Sequence, residues 1–401
     1  MPCRLDMIVV ANAMWSERCG TYQQISQYLG KTRRLLYVEG NYSFGKIMKA
    51  VNNRTQPLTL NGRIKMSDNR FWRLTPPPRL PFRHYQRSIG VLNQIVLHRA
   101  IRKAAERMML ENPILLTFLH QSDRIVGSLN ESLSVYYCVD YWPWLLPKAR
   151  FMGCSRVIER DERATAAKVD FTVSTSRFLQ RRMEKINPLS YLVRNAADAE
   201  LFSHALRDDI EVPKDIQGIA HPILGFSGSL EVKSDLDLLR RIALENPSWN
   251  LVFIGLTENV PDIDKIRSLP NTHFLGLKLV RELPMYFRQF DVCLVPFRKS
   301  PELESISPLK IFEYLSAGRP VVATRYQEIS ELDDVVYLSD SPDDFLANIY
   351  RALREDSIDL KQKRLTVARH NTWPKRTEQL ESLIAKHLPR STRVADLGIS
   401  H

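Results

Sequence analysis

Runs of four to seven mostly apolar residues, each too short for an ordinary helix, alternate with stretches of helical periodicity from one end of the chain to the other. The first series is MIVVA (7–11), RLLYVEG (34–40), ILLTFL (114–119), SVYYCVD (134–140), FTVST (171–175) and SYLVRNA (190–196). The second is ILGFSG (223–228), NLVFIG (250–255), THFLG (272–276), DVCLVPF (291–297), VVAT (321–324) and VVYL (335–338). Strands alternating with helices predict βαβ units and therefore parallel sheets. Two such series, separated by a polar stretch around 197–220, predict an α/β chain of two doubly wound, Rossmann-like domains facing across a cleft. The expected boundaries are 1–196, 197–374, and a terminal helix within 375–401 that packs back on the first domain. In open sheets of this kind ligands bind outside the carboxyl ends of the strands, so functional side chains are expected there.

The 401 residues suffice for two domains that each bury a core. No run approaches the ~20 apolar residues that span a bilayer, and MPCRLDMIVV lacks the zones of a signal peptide, so the expected location is the cytoplasm. Cys3, Cys19, Cys138, Cys154 and Cys293 show neither a CxxC nor a metal-binding spacing. The net charge of +12 favours anionic partners. Residues 70–107 hold nine Arg or Lys against one acid, Glu106. Tyr85, Ile89, Leu92, Val96 and Ala100 recur there at helical spacing, which predicts a basic amphipathic helix over about 85–110 after a proline-rich loop. It is either a core helix with a solvated basic face or a helix resting on an anionic membrane surface, with Phe71, Trp72 and Phe82 as interfacial anchors. Helical amphipathicity rather than a stacking platform argues against nucleic acid.

The segment SPLKIFEYLSAGRPVVAT (307–324) is the most informative. Ser307 suits a cap and Pro308 the first helical position, leaving the N–H groups of Leu309 and Lys310 free beside the positive end of the helix dipole, an arrangement that suits a phosphate. Lys310 and Glu313, at i and i+3, share a helix face. A lysine can meet a diphosphate and a carboxylate one turn on can accept from both hydroxyls of a ribose; a solvated Lys–Glu pair fits the same spacing. The DLD at 235–237 has the letters of a metal motif, but in a helical pattern residues i and i+2 point apart.

SPLKIFEYLSAGRPVVAT resembles the donor-binding segment of GT-B glycosyltransferases, in particular the family 4 branch that builds bacterial surface polysaccharides and includes teichuronic acid transferases. SVYYCVDYW, FTVSTSRFL, VRNAAD (ending at Asp198), ILGFSGSL, NLVFIG, THFLGLKLVRELPMYFRQFDVCLVPF and TWPKRTEQL continue the similarity in order over roughly residues 5–385. The resemblance implies a GT-B architecture, a nucleotide-sugar donor linked to UDP or GDP, a glycan or lipid-linked acceptor, and no metal or other cofactor. It implies a donor site of Glu313, Lys310, Leu309, Ser307, Gly228, Ser229 and Lys233. The chain departs from the family pattern at three places. The position eight before Glu313 is Ser305, with Glu304 one residue out of register; Ser229 stands in place of an arginine and Lys233 is a shifted lysine; and NAMWSERCG replaces a glycine-rich loop. Transfer with inversion also needs a general base beside the acceptor hydroxyl. Asp140, ending a first-domain strand, is the candidate, against a turn-residue role in VDYWPW. His120, ending ILLTFLH, is either a second catalytic group or a packed side chain. A non-catalytic relative serving as a partner subunit and a sugar-nucleotide epimerase are the alternative functions.

Overall fold

Each apolar run named above contains or overlaps a strand. The computed structural model describes residues 5–15, 20–40, 62–80, 87–145, 154–231, 233–257, 260, 262–307 and 309–389. The chain divides into two units, Met1–Arg194 with Thr377–His401, and Asn195–Arg376.

The first unit holds an eight-stranded sheet in the order β3-β4-β2-β1-β5-β6-β7-β8. Its strands are β1 (Met7–Val10), β2 (Leu35–Val38), β3 (Arg63–Asp68), β4 (Phe71–Thr75), β5 (Ile114–Thr117), β6 (Leu133–Cys138), β7 (Phe171–Ser174) and β8 (Ser190–Leu192). All pair in parallel except β3, which is antiparallel to β4. Strands β1, β2, β5, β6 and β7 are buried along their whole length, as expected of a parallel sheet covered on both faces.

The edge pair β3–β4 lies outside the predicted strands, and the reason is chemical. RIKMSD exposes nearly all its side chains, so it carries no apolar signal; a charged edge strand of this kind discourages a further chain from pairing with it. Phe71 and Trp72, read as interfacial anchors, belong to this edge instead. Phe71 is buried in β4 against Trp15 and Tyr37, and Trp72 is partly buried with the Arg34 guanidinium 5.8 Å from its ring. Phe82, Tyr85 and Pro308 lie outside the described residues.

The basic helix runs from Arg87 to Arg107, with its apolar face one residue away from the predicted stripe. Leu97, Ile101, Ala104 and Met108 are buried, whereas Leu92 is 46% exposed. Two polar residues on the buried face concealed it. Asn93 brackets the backbone N–H and carbonyl of Leu80, while Gln94 donates to Asp123 and accepts the Arg124 N–H.

The second unit has a six-stranded, wholly parallel sheet in the order β11-β10-β9-β12-β13-β14. The strands are β9 (Ile223–Ser227), β10 (Asn250–Ile254), β11 (Thr272–Gly276), β12 (Val292–Val295), β13 (Val321–Thr324) and β14 (Tyr337–Ser339). This is the doubly wound order whose direction reverses between the first and fourth strands, here β9 and β12. The polar stretch read as a separator is part of this unit's core: Phe202, Ala205 and Ile216 are buried, and Phe202 stacks on Phe287 at 5.4 Å.

The terminal helix, Trp373–His387, begins in the second unit and ends in the first. In the first unit Arg33, 4% exposed, makes two bonds to the carboxylate of Glu381 at 2.9 and 3.2 Å, and Tyr191 meets His387 at 2.8 Å. Removing one partner strands the other charge in a buried place, so Arg33→Met should lower stability by about 3 kcal/mol. Urea titration followed by near-ultraviolet circular dichroism checks this; an unchanged midpoint would show that the pair does not hold the helix.

Candidate functional site

Strands β9 and β12 lie side by side, so the loop leaving β9 and the helix that follows β12 rise from the same place. That helix, Leu309–Ser316, forms because Ile311, Phe312, Tyr314 and Leu315 give it a buried face; it ends at Gly318, whose φ of +71° suits glycine. The Tyr314 hydroxyl accepts the N–H of Ser227, the last residue of β9, at 2.7 Å. This bond locks the helix against the loop.

The consequence is a close approach. Gly228 has φ +124°, and a Cβ there would lie 2.2 Å from Cε and 2.5 Å from Nζ of Lys310. Gly255, at φ +140°, gives way in turn to the carbonyl of Gly228, which a Cβ would meet at 2.2 Å. The Lys310 ammonium therefore lies on bare backbone, 5.6 Å from the Phe226 ring centre. Lys233 belongs to the same site: it pairs with Glu231 at 3.0 Å, lies 5.7 Å from the Phe297 ring centre, and its field reaches Lys310.

Burial pushes Lys310 down to about 8, with Lys233 adding to the effect against the opposing pull of Glu313 and Glu231. Burial likewise pushes Glu313 up to about 7, against the pull of Lys310. Among the described residues neither side chain has a hydrogen bond or ion-pair partner, so the two do not close into an ion pair with each other. A carboxylate and an ammonium held without partners beside a glycine-lined loop are prepared to receive hydroxyl donors and an anion.

The structure thus brings together Gly228, Lys233, Lys310 and Glu313, with Ser229 following Gly228 and Leu309 opening the helix. Ser307 is used differently from a simple cap. Its hydroxyl accepts the N–H of Asn195 at 3.1 Å and its carbonyl accepts Asn195 Nδ2 at 2.7 Å. The out-of-register Glu304 accepts the N–H of Gln327 at 2.8 Å, and Ser305 donates to the carbonyl of Glu302 at 2.6 Å. Asp235 caps the helix Leu236–Glu245 and Asp237 pairs with Arg298 at 3.3 Å, so the DLD motif is occupied structurally. Sequence reasoning missed Tyr314 and Asn195; the first is one turn beyond Lys310 and so shares its side of the helix, while nothing in the sequence pairs the second with a residue 112 positions away.

In the first unit Asp140 and His120 follow β6 and β5, neighbouring strands. Asp140 is partly exposed at the end of a tightly held segment. Thr175 donates to the carbonyl of Val139 at 2.9 Å, the Cys138 thiol points to the carbonyl of Asp140 at 3.7 Å, and the buried Glu162 accepts from Tyr136 at 2.7 Å and pairs with Arg182. His120 is 1% exposed, its ring 5.9 Å from that of Trp142 and its carbonyl bonded to Thr165 at 2.8 Å.

The comparisons with known proteins meet this geometry at the second unit. Residues 221–355 match the model of glycosyl transferases group 1. That match falls within the second unit. The chain is also similar to TuaH of Bacillus subtilis, a protein assigned to teichuronic acid biosynthesis as a glycosyltransferase, at 28% identity over 259 residues, 60% of this chain and 63% of that one. The matched stretch therefore spans less than two thirds of that relative. Among solved structures, sucrose-phosphate synthase from Thermosynechococcus elongatus superposes with a TM-score of 0.70 at 14% identity, covering 95% of this chain and 98% of that one. An α,α-trehalose 6-phosphate synthase from Burkholderia multivorans gives 0.67 at 11%, covering 96% and 99%. These likenesses show the fold, GT-B with two Rossmann-like domains, as the sequence resemblance implied.

Nucleoside diphosphate affinity should be greatest between about pH 7 and 8, falling above that window as Lys310 loses its proton and below it as Glu313 gains one; calorimetric titrations from pH 6 to 9.5 test this, and a flat profile would exclude both groups from binding. Glu313 is raised from 4.5 to about 7 in the folded state, so its penalty on folding grows as pH rises from the unfolded value through the folded one and is fully present above about 7. Glu313→Gln should accordingly raise the Tm of ligand-free protein at pH 8 by a few degrees, with the gain disappearing at pH 4.5, a pattern that differential scanning calorimetry can read.

Proposed function

We propose that this protein is a metal-independent glycosyltransferase that takes a sugar from a nucleoside diphosphate sugar, UDP- or GDP-linked, and delivers it to a glycan or lipid-linked acceptor in surface polysaccharide biosynthesis. The observation that carries the proposal is Lys310 over Gly228, with Glu313 one turn on, at the reversal point of a doubly wound sheet. Glu313 accepts the ribose hydroxyls. Lys310, Lys233 and the start of the helix at Leu309 face the diphosphate, with Ser229 on the adjoining loop. The relative in teichuronic acid biosynthesis supports the acceptor class.

In the reaction the acceptor oxygen attacks the anomeric carbon while the bond from that carbon to the β-phosphate oxygen breaks. Negative charge develops on the departing diphosphate, where fixed cations lower the barrier. For transfer with inversion, Asp140 takes the acceptor proton as general base. His120, packed against Trp142, orders the segment carrying Asp140.

A panel of UDP, GDP, ADP and CMP against wild type and Glu313→Ala tests the donor assignment by thermal shift. A ligand at 100 times its Kd adds about 2.7 kcal/mol, so one nucleotide should stabilise wild type and not the variant. Asp140→Asn should retain nucleotide affinity within about twofold and reduce transfer by about 10³-fold; transfer at the wild-type rate would remove Asp140 from the mechanism. Absence of both nucleotide binding and transfer in the wild type would favour the partner-subunit reading, to which Ser229 and the occupied Glu304 already lend support.

The exposed face of the helix Arg87–Arg107 presents Arg99, Arg102, Lys103 and Arg107, with Arg102 paired to Glu106 at 2.8 Å. We propose that this face meets the anionic inner surface of a membrane, each cation contributing about 1 kcal/mol near the surface. Replacing Arg99, Lys103 and Arg107 by Gln should release the protein from vesicles containing phosphatidylglycerol at 0.15 M salt; equal sedimentation of variant and wild type with those vesicles would overturn this docking role.

A further inference from the structure

Asn195 is the first residue of the second unit and Arg376 its last. The incoming and outgoing chains are fastened to each other. Ala197 bridges Thr372 in parallel, its N–H donates to the carbonyl of Asn371 at 3.1 Å, and Arg376 Nε reaches the carbonyl of Asn195 at 3.5 Å. Asn195 also donates twice to Ser307, through the N–H to Oγ and Nδ2 to the carbonyl noted above. Asn195, Ser307 and Arg376 are 6%, 7% and 8% exposed, so these bonds form away from competing water.

Ser307 stands two residues before Leu309, where the helix of Lys310 and Glu313 begins. The later part of that helix is fixed to Ser227 by Tyr314, which leaves its start to be fixed by something else. An amide suits this position because it donates to a carbonyl without bringing a charge, whereas a carboxylate of the same shape would face the Ser307 carbonyl with oxygen against oxygen. We infer that Asn195 is a positioning residue for the donor, setting where the first turn of the helix Leu309–Ser316 starts over Gly228 and therefore where Lys310 meets a diphosphate. The inference rests on the donor site proposed above. It concerns the phosphate end of the ligand, because the helix start and Lys310 face the charge while Glu313 serves the ribose one turn further on.

The test compares wild type, Asn195→Asp, Ser307→Ala and the double variant by calorimetric titration with UDP and GDP and with the matching nucleosides, together with kcat and KM for transfer. Asn195→Asp should weaken the diphosphate about tenfold, the scale of one buried hydrogen bond, leave the nucleoside unchanged, and raise the donor KM more than it lowers kcat. Ser307→Ala, the milder change and the one to rely on if Asn195→Asp does not fold, should weaken the diphosphate alone by a smaller factor. The double variant should bind the diphosphate more weakly than either single variant, since Asn195→Asp breaks the Nδ2-to-carbonyl bond and Ser307→Ala the N–H-to-Oγ bond. Equal loss of nucleoside and diphosphate, or wild-type affinity in both single variants, would overturn the positioning role while leaving the donor site standing. A wild type that binds neither nucleotide would overturn both together.

Discussion

Strands β9 and β12 are neighbours in the sheet although two other strands intervene between them in sequence, and the chemistry of the second unit depends on that adjacency. A crossover chain leaving β9 turns to one side and the chain leaving β12 turns to the other, so a gap opens between them that no connection covers. Gly228 lines the gap from one side and Lys310 enters it from the other. Tyr314 and Ser227 join the two walls. Without that bond the ammonium and the glycine loop would be separate surface features rather than one site.

The gap holds charge in an unfavourable state. Lys310, lowered from 10.5 to about 8, and Glu313, raised from 4.5 to about 7, both oppose folding near neutral pH, since each would ionise more readily in the unfolded chain. A bound diphosphate and ribose would satisfy the same two groups, so the energy withheld from the free protein becomes affinity for a ligand of complementary charge. Strain of this kind is tolerated because the surrounding helix is anchored by apolar burial at Ile311, Phe312 and Leu315, which does not depend on the charges.

How much of this was legible in the sequence follows from where the signal resides. Buried parallel strands are continuous apolar runs, so the two sheets and the helix at 309–316 could be read directly. Strand β3 could not, because a solvated edge strand has no apolar period to detect. The helix Arg87–Arg107 was legible in extent and misread in rotation, since Asn93 and Gln94 point inward to backbone and carboxylate partners that only the fold supplies. In the site, Lys310 and Glu313 announced themselves by spacing and by resemblance to a known motif. Gly228 gained its meaning only through a close approach, and Asn195 through hydrogen bonds spanning 112 residues, which leave no local trace.

The second unit is one uninterrupted segment set inside the first, whose own last contribution comes from Thr377 onward. During synthesis the order of completion is therefore inverted. Arg33 is made early, but Glu381 follows it by 348 residues, which at ~5–20 residues per second is a wait of roughly 17–70 s. The inserted unit has all its strands before that helix exists, so the sheet that carries the charged gap is complete in sequence while the part begun first still lacks its final helix.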